Sequence, residues 1–203
     1  MGLQIEDGTG SGQLVEVSDN RLRAFAVNVS LTNHLSLEQA NQTVFTVVGT
    51  AVIVSGTTVV LHVINNDPSD MLVIDRVAVQ AIPSIISGPG SAPSSGTYFS
   101  LGYGRTVTSG GTVVTPINLN RTATKVANVT ATSSNPNMTG TFVESHRWLV
   151  QGSGAAFELI TPASNDIILG RANTVEIQYN STITSATMLT IFKFFMTTPE
   201  HMG

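Results

Sequence analysis

The chain has 203 residues, of which 41% are hydrophobic and only 11% charged, with a formal net charge of −4. The absence of cysteine excludes disulfides, thiolate zinc sites, iron–sulfur clusters and a cysteine nucleophile. The nine Lys and Arg residues stand singly, without the clustered basic footprint of a nucleic-acid binder.

The length suits one well-buried domain preceded by an arm. Thr, Ser and Asn replace the usual surface Lys and Glu, and a surface so poor in charge resists association weakly. That composition suits a protein that buries much of its exterior against copies of itself or a larger lattice.

In chain order, the opening Asp7-Gly8-Thr9-Gly10-Ser11-Gly12 leads into an alternating strand, Leu14-Val15-Glu16-Val17. A turn at Ser18-Asp19-Asn20 precedes a second strand from Arg21 to Val27. Leu35 to Ala40 holds the one helical turn expected, too short to be stable alone. The arm is expected over 1–40 and the body over 41–203. Strands are predicted at Val44–Val48 and Ala51–Val54 around Gly49-Thr50, then at Thr57–Ile64. Asn65-Asn66-Asp67-Pro68-Ser69-Asp70 is a turn, because Asn and Asp bond back to their own backbone and Pro presets φ. Met71–Ile82 is the next strand, with Leu72, Ile74, Val77 and Val79 as its apolar content, and 83–97 reads as a long Gly/Pro/Ser loop.

Tyr98–Leu101, Arg105–Thr108 and Thr112–Leu119 are predicted strands, broken at Gly102-Tyr103-Gly104 and Ser109-Gly110-Gly111. Lys125–Thr132 alternates, and Ser133–Gly140 reads as a polar turn. Thr141–Glu144, Arg147–Val150, Ala156–Ile160, Asp166–Leu169, Thr174–Tyr179 and Met188–Met196 complete the set. Strands at this rhythm, with no fixed-period repeat, predict an all-β fold: an antiparallel, jelly-roll-like β-sandwich with an extended N-terminal arm.

Signals for chemistry are few. His34, His62, His146 and His201 lie in four segments, and there is no G-x-S-x-G nucleophile motif. Glu144, Glu158, Asp166 and Glu176 are too sparse to announce a carboxylate pair and read as solvent-facing strand residues. Asn65, Asn66, Asp67 and Asp70 gather oxygen ligands but lack the spacing of a calcium loop, so a plain turn is expected. The DGTGSG stretch lacks the lysine of a phosphate loop. No cofactor, metal or catalytic residue is expected. The longest apolar run, Met188 to Met196, is interrupted by Thr190 and Lys193, so no membrane span is expected. The N-terminus also lacks a basic region followed by an apolar core, which points to synthesis in a cytoplasm.

The opening Met1 to Val27, MGLQIEDGTGSGQLVEVSDNRLRAFAV, resembles the N-terminal arm of tailed-bacteriophage virion structural proteins, and LHVINNDPSDMLVIDRVAV resembles the body of the same group. The resemblance implies a capsid decoration or cement protein, non-enzymatic and located in the virion. Its implied partners are itself, as a homotrimer, and the major capsid protein or another virion protein. In that reading Leu14, Val15, Val17, Leu22, Phe25 and Val27 anchor the arm on a neighbour, and Arg21 and Arg23 pair with its acidic groups. The alternative is a receptor- or glycan-binding module of a tail or head fibre, with Tyr98, Tyr103 and Trp148 beside the 84–97 loop as its surface.

Overall fold

A computed structural model describes residues 17–18, 21–22, 43–82, 98–120, 122–149, 156–160, 167–181 and 187–198. The chain divides into two compact units, Met1–His34 and Leu35–Gly203. In the first, β1 (Val17–Ser18) pairs antiparallel with β2 (Arg21–Leu22), Val17 opposite Leu22.

The second unit is a sandwich of two antiparallel sheets. Its strands are β3 (Val44–Val52), β4 (Gly56–Asn65), β5 (Met71–Ile82), β6 (Tyr98–Ser109), β7 (Thr112–Val114), β8 (Ile117–Asn118), β9 (Val129–Ser133), β10 (Asn137–Leu149), β11 (Ala156–Ile160), β12 (Ile167–Leu169), β13 (Thr174–Ser181) and β14 (Thr187–Thr197). The first sheet runs β11-β5-β14-β3-β8, with β12 also on β5, and the second runs β10-β6-β13-β4-β9-β7. Set β7 to β9 aside, and the pairs nest: β3 with β14, β4 with β13, β5 with β11 and β12, β6 with β10. The later pairings β5–β14 and β6–β13 roll that long double ribbon into two facing sheets. This is the jelly-roll connection expected from the sequence.

The period-2 alternation of strands builds the core. Phe45 of β3 stacks on Phe194 of β14 with centroids 5.6 Å apart, and Phe99 of β6 meets Tyr179 of β13 at 4.7 Å. Leu72, Ile74, Val77 and Val79 of β5 join them, all buried. Their phase slips between Ile74 and Val77, where a bulge opposite Lys193/Phe194 inserts Asp75. A smaller cluster of Val44, Val73 and Phe195, covered by Leu119, lies on the outer side of the first sheet.

Several boundaries differ from expectation. Gly49 does not break β3; a Cβ there would come within 3.1 Å of Leu61 and Ser133, so the glycine serves close packing within one continuous strand. Gly102 and Gly104 likewise lie inside β6, and the two strands expected over 141–150 form the single strand β10. Thr112–Leu119 instead divides at Thr115-Pro116 into β7 and β8, which belong to different sheets.

Candidate functional site

The centre of the second sheet, β4, β13 and the first residues of β6, is buried on both faces. Inward, Leu61, Val63, Val175 and Ile177 enter the core; outward, His62, Glu176, Gln178 and Ser100 are also buried. The cover is β6 itself. Between Tyr98 and Gly102 it pairs with β13, but beyond Gly102 it continues with β10 alone. Gly102 permits the departure: a Cβ there would sit 2.5 Å from the Val143 carbonyl and 2.6 Å from the Phe142 ring. Gly104 follows at φ +90, and Gly140, opposite Arg105, stands at φ +98. Bulges in β10 at Gly140/Val143 and Glu144/His146 add to the bend.

The bent ribbon crosses β13 and reaches β4. His62 Nε2 lies 3.0 Å from the Arg105 carbonyl oxygen, which can only accept, so the ring carries its proton on Nε2. Arg105 NH1 stands 3.5 Å from Glu176 Oε1, and Gln178 Nε2 donates to the same oxygen. Glu176 Oε2 is buried without a hydrogen-bond partner among the described residues. Burial pushes the Glu176 carboxyl up from its ordinary range, against the opposing pull of Gln178 and Arg105. Burial also lowers the His62 pKa, and the nearby Arg105 charge adds to that, while the backbone hydrogen bond opposes it.

Beside this polar layer opens a pocket of about 490 Å³. Residues 103–106 of β6 form one wall, β12 another, and residues 172–174 a third. Asn65, fully buried, pins the third wall. It donates Nδ2 to the Leu169 carbonyl at 2.9 Å and its backbone N to Asn173 O at 3.1 Å, and it accepts from Ala172 N at 2.7 Å. Ala172 is held there at φ +60, a left-handed conformation uncommon for a residue with a Cβ. The side-chain oxygens of the adjoining loop are engaged locally: Asn65 Oδ1 accepts from Asp67 N, and Asp67 Oδ1 accepts from Ser69 N, Ser69 Oγ and Asp70 N. These are the bonds of the turn expected from the sequence.

The three aromatic residues expected to form one surface separate into two places. Tyr103 lines the pocket. Tyr98 and Trp148 lie at the β6–β10 margin, where the Arg147 guanidinium sits 4.2 Å over the Tyr98 ring and pairs bidentately with Glu144 at 2.8 Å. His146 stacks on Trp148 at 5.5 Å, as expected for alternate residues of one strand. Of the arm residues, Val17, Arg21 and Leu22 belong to β1 and β2; Leu14, Val15, Arg23, Phe25 and Val27 lie outside the described residues, as do the 84–97 loop, the turn at 35–40, His34, His201 and Asp166.

The solvent-facing reading of Glu176 is overturned: it is 1% exposed because β6 folds over it. His62 was also missed. The signal was their neighbours, since Val59-Val60-Leu61-His62-Val63-Ile64 and Val175-Glu176-Ile177 are near-continuous apolar runs, the mark of strands covered on both faces. Compared with protein-family models, curated proteins and solved structures, the chain matches none.

Proposed function

We propose that this chain is a non-enzymatic structural protein of a tailed-phage particle, a decoration or cement protein that stabilises the head lattice through its arm and through contacts between copies. The observation that carries this reading is the outer face of the first sheet. Val48 of β3 stands opposite Ile191 of β14, which stands opposite Ala78 of β5, and Val52 lies further along the same face of β3. Val48, Val52 and Ile191 are 41–61% exposed. An open apolar row across three paired strands marks a contact surface. The scarcity of surface charge and the resemblance of the arm favour a lattice of like copies as the occupant. In this reading the arm adds strands to a neighbour, and β10, the last strand of its sheet, offers an edge to receive one.

Sedimentation of the full chain, with co-pelleting on phage capsids lacking it, tests the reading. A trimer that binds capsids, and that Ile191→Glu weakens, is the expected result. A monomer at all concentrations with no capsid affinity would sink it.

A further inference from the structure

We infer that the pocket beside β6 is a binding site for a carboxylate-bearing sugar, a uronic-acid type of pyranose. The inference does not rest on the particle reading; it concerns what this body could hold wherever it is mounted.

The volume, about 490 Å³, lies within the range of small-ligand sites. Its chemistry is mixed in the way a pyranose requires. Tyr103 is half-buried and offers a ring for the sugar's C–H face, and β12 supplies an apolar wall through Ile167 and Leu169, which share the inward face of Ile74 and Leu72. Opposite stand groups for hydroxyls: Thr106, the Asn173 amide and Thr174, whose hydroxyl accepts from Gly104 N at 3.3 Å and keeps its own proton to donate. The wall itself is pre-organised, because Asn65 fixes the backbone of 169–173 from within the fold.

Arg105 sets the charge. Its side chain is 20% exposed, and its contact with Glu176 at 3.5 Å is longer than the roughly 2.7–2.9 Å of a charge-assisted hydrogen bond. The guanidinium therefore still has a fork to present to a planar carboxylate. The buried Glu176 behind it makes the site selective. One cation facing one carboxylate neighbour tolerates a monoanion but disfavours a phosphate dianion, for which the pocket holds no second cation among its described lining residues.

The experiment is an NMR titration of the full chain with D-glucuronate, using D-glucose and inorganic phosphate as controls. Glucuronate should shift signals from 103–106 and 167–174, with glucose and phosphate binding at least about tenfold more weakly. Arg105→Gln should weaken glucuronate about tenfold or more, the loss of a charged hydrogen bond. Ile167→Trp, on the inward face of β12, fills the cavity while leaving Arg105 and the polar layer in place; it should abolish binding even where R105Q fails to fold. No shift with glucuronate, shifts confined elsewhere, equal binding of glucose or phosphate, or undiminished binding by I167W would each overturn the assignment.

Discussion

On the first sheet the outer face carries Val48, Val52 and Ile191 in the open, whereas on the second His62, Glu176 and Gln178 lie buried beneath a strand of their own sheet. In an ordinary half-exposed sheet the polar residues would meet water and the apolar ones would be covered. Here Val48, Val52 and Ile191 on the one face and His62, Glu176 and Gln178 on the other reverse that assignment. A buried polar layer requires specific partners, which Arg105 supplies through its carbonyl and its guanidinium. An exposed apolar row requires none within the chain, which leaves it available to another molecule. The contrast separates a face whose polar groups find partners within the chain from one whose apolar side chains stay in the open.

The largest effect should come from unseating the cover. Gly102→Val places a side chain against the Val143 carbonyl and the Phe142 ring, so β6 and β10 must part and the polar layer must meet water. Unfolding free energy should fall by about 3 kcal/mol, the upper end of overpacking costs. Amide exchange at His62 and Glu176 should quicken more than at Phe45. Equal quickening at both places would mean that the ribbon and the core open as one unit. Next in size, Asn65→Ala removes the side-chain bonds to Leu169 O and Asp70 O and leaves those acceptors unpaired, while the main-chain bonds to Ala172 and Asn173 stay; denaturant titration should show a loss of about 2 kcal/mol. A loss below about 0.5 kcal/mol would mean the turn holds itself.

The polar layer also gives a smaller, pH-dependent signature. His62 has a folded pKa below its ordinary 6.5, so its stabilising contribution is fully present above that pH and is lost as pH falls through the folded value. Glu176 has a folded pKa above its ordinary 4.5, so its contribution is fully present below that pH and is lost as pH rises through the folded value. The two slopes oppose one another. His62→Gln should remove the decline on acidification below pH 6.5, and Glu176→Gln should remove the decline on raising the pH above 4.5. Thermal melts of both variants from pH 4 to 8 check this; unchanged pH profiles would mean that other groups govern the window.

The jelly roll was legible because the apolar and β-branched content of β4, β5, β13 and β14 is strong and local. The bulge at Asp75 was also written in the chain, as the slip from 72 and 74 to 77 and 79. The candidate site was not. Gly102 and Gly104 read as interruptions, since a glycine that ends a strand and one that lets a strand bend look alike in sequence. Whether Glu176 faces water depends on where residues 103–109 come to lie, a matter of contacts remote in the chain. Tyr103 was singled out for its ring, but its separation from Tyr98 and Trp148 follows from the same bend.

The smallest expected effect on stability bears most directly on the comparison. If the outer face of the first sheet is a finished surface, its valines and isoleucine still take part in cross-strand packing, and replacing them should cost something. If it is a face awaiting a partner, polar replacements should be nearly free in the isolated protein. Val48→Thr and Ile191→Thr keep the β-branched shape and the strand propensity while removing apolar surface. Combined, they should change the unfolding free energy by no more than about 0.5 kcal/mol. The same pair should shift any self-association seen by sedimentation towards smaller species. A loss of stability above 1–2 kcal/mol, without a change in association, would mean that the row is covered within the single chain. The contact proposed for this face would then have to be sought at β10 or the arm.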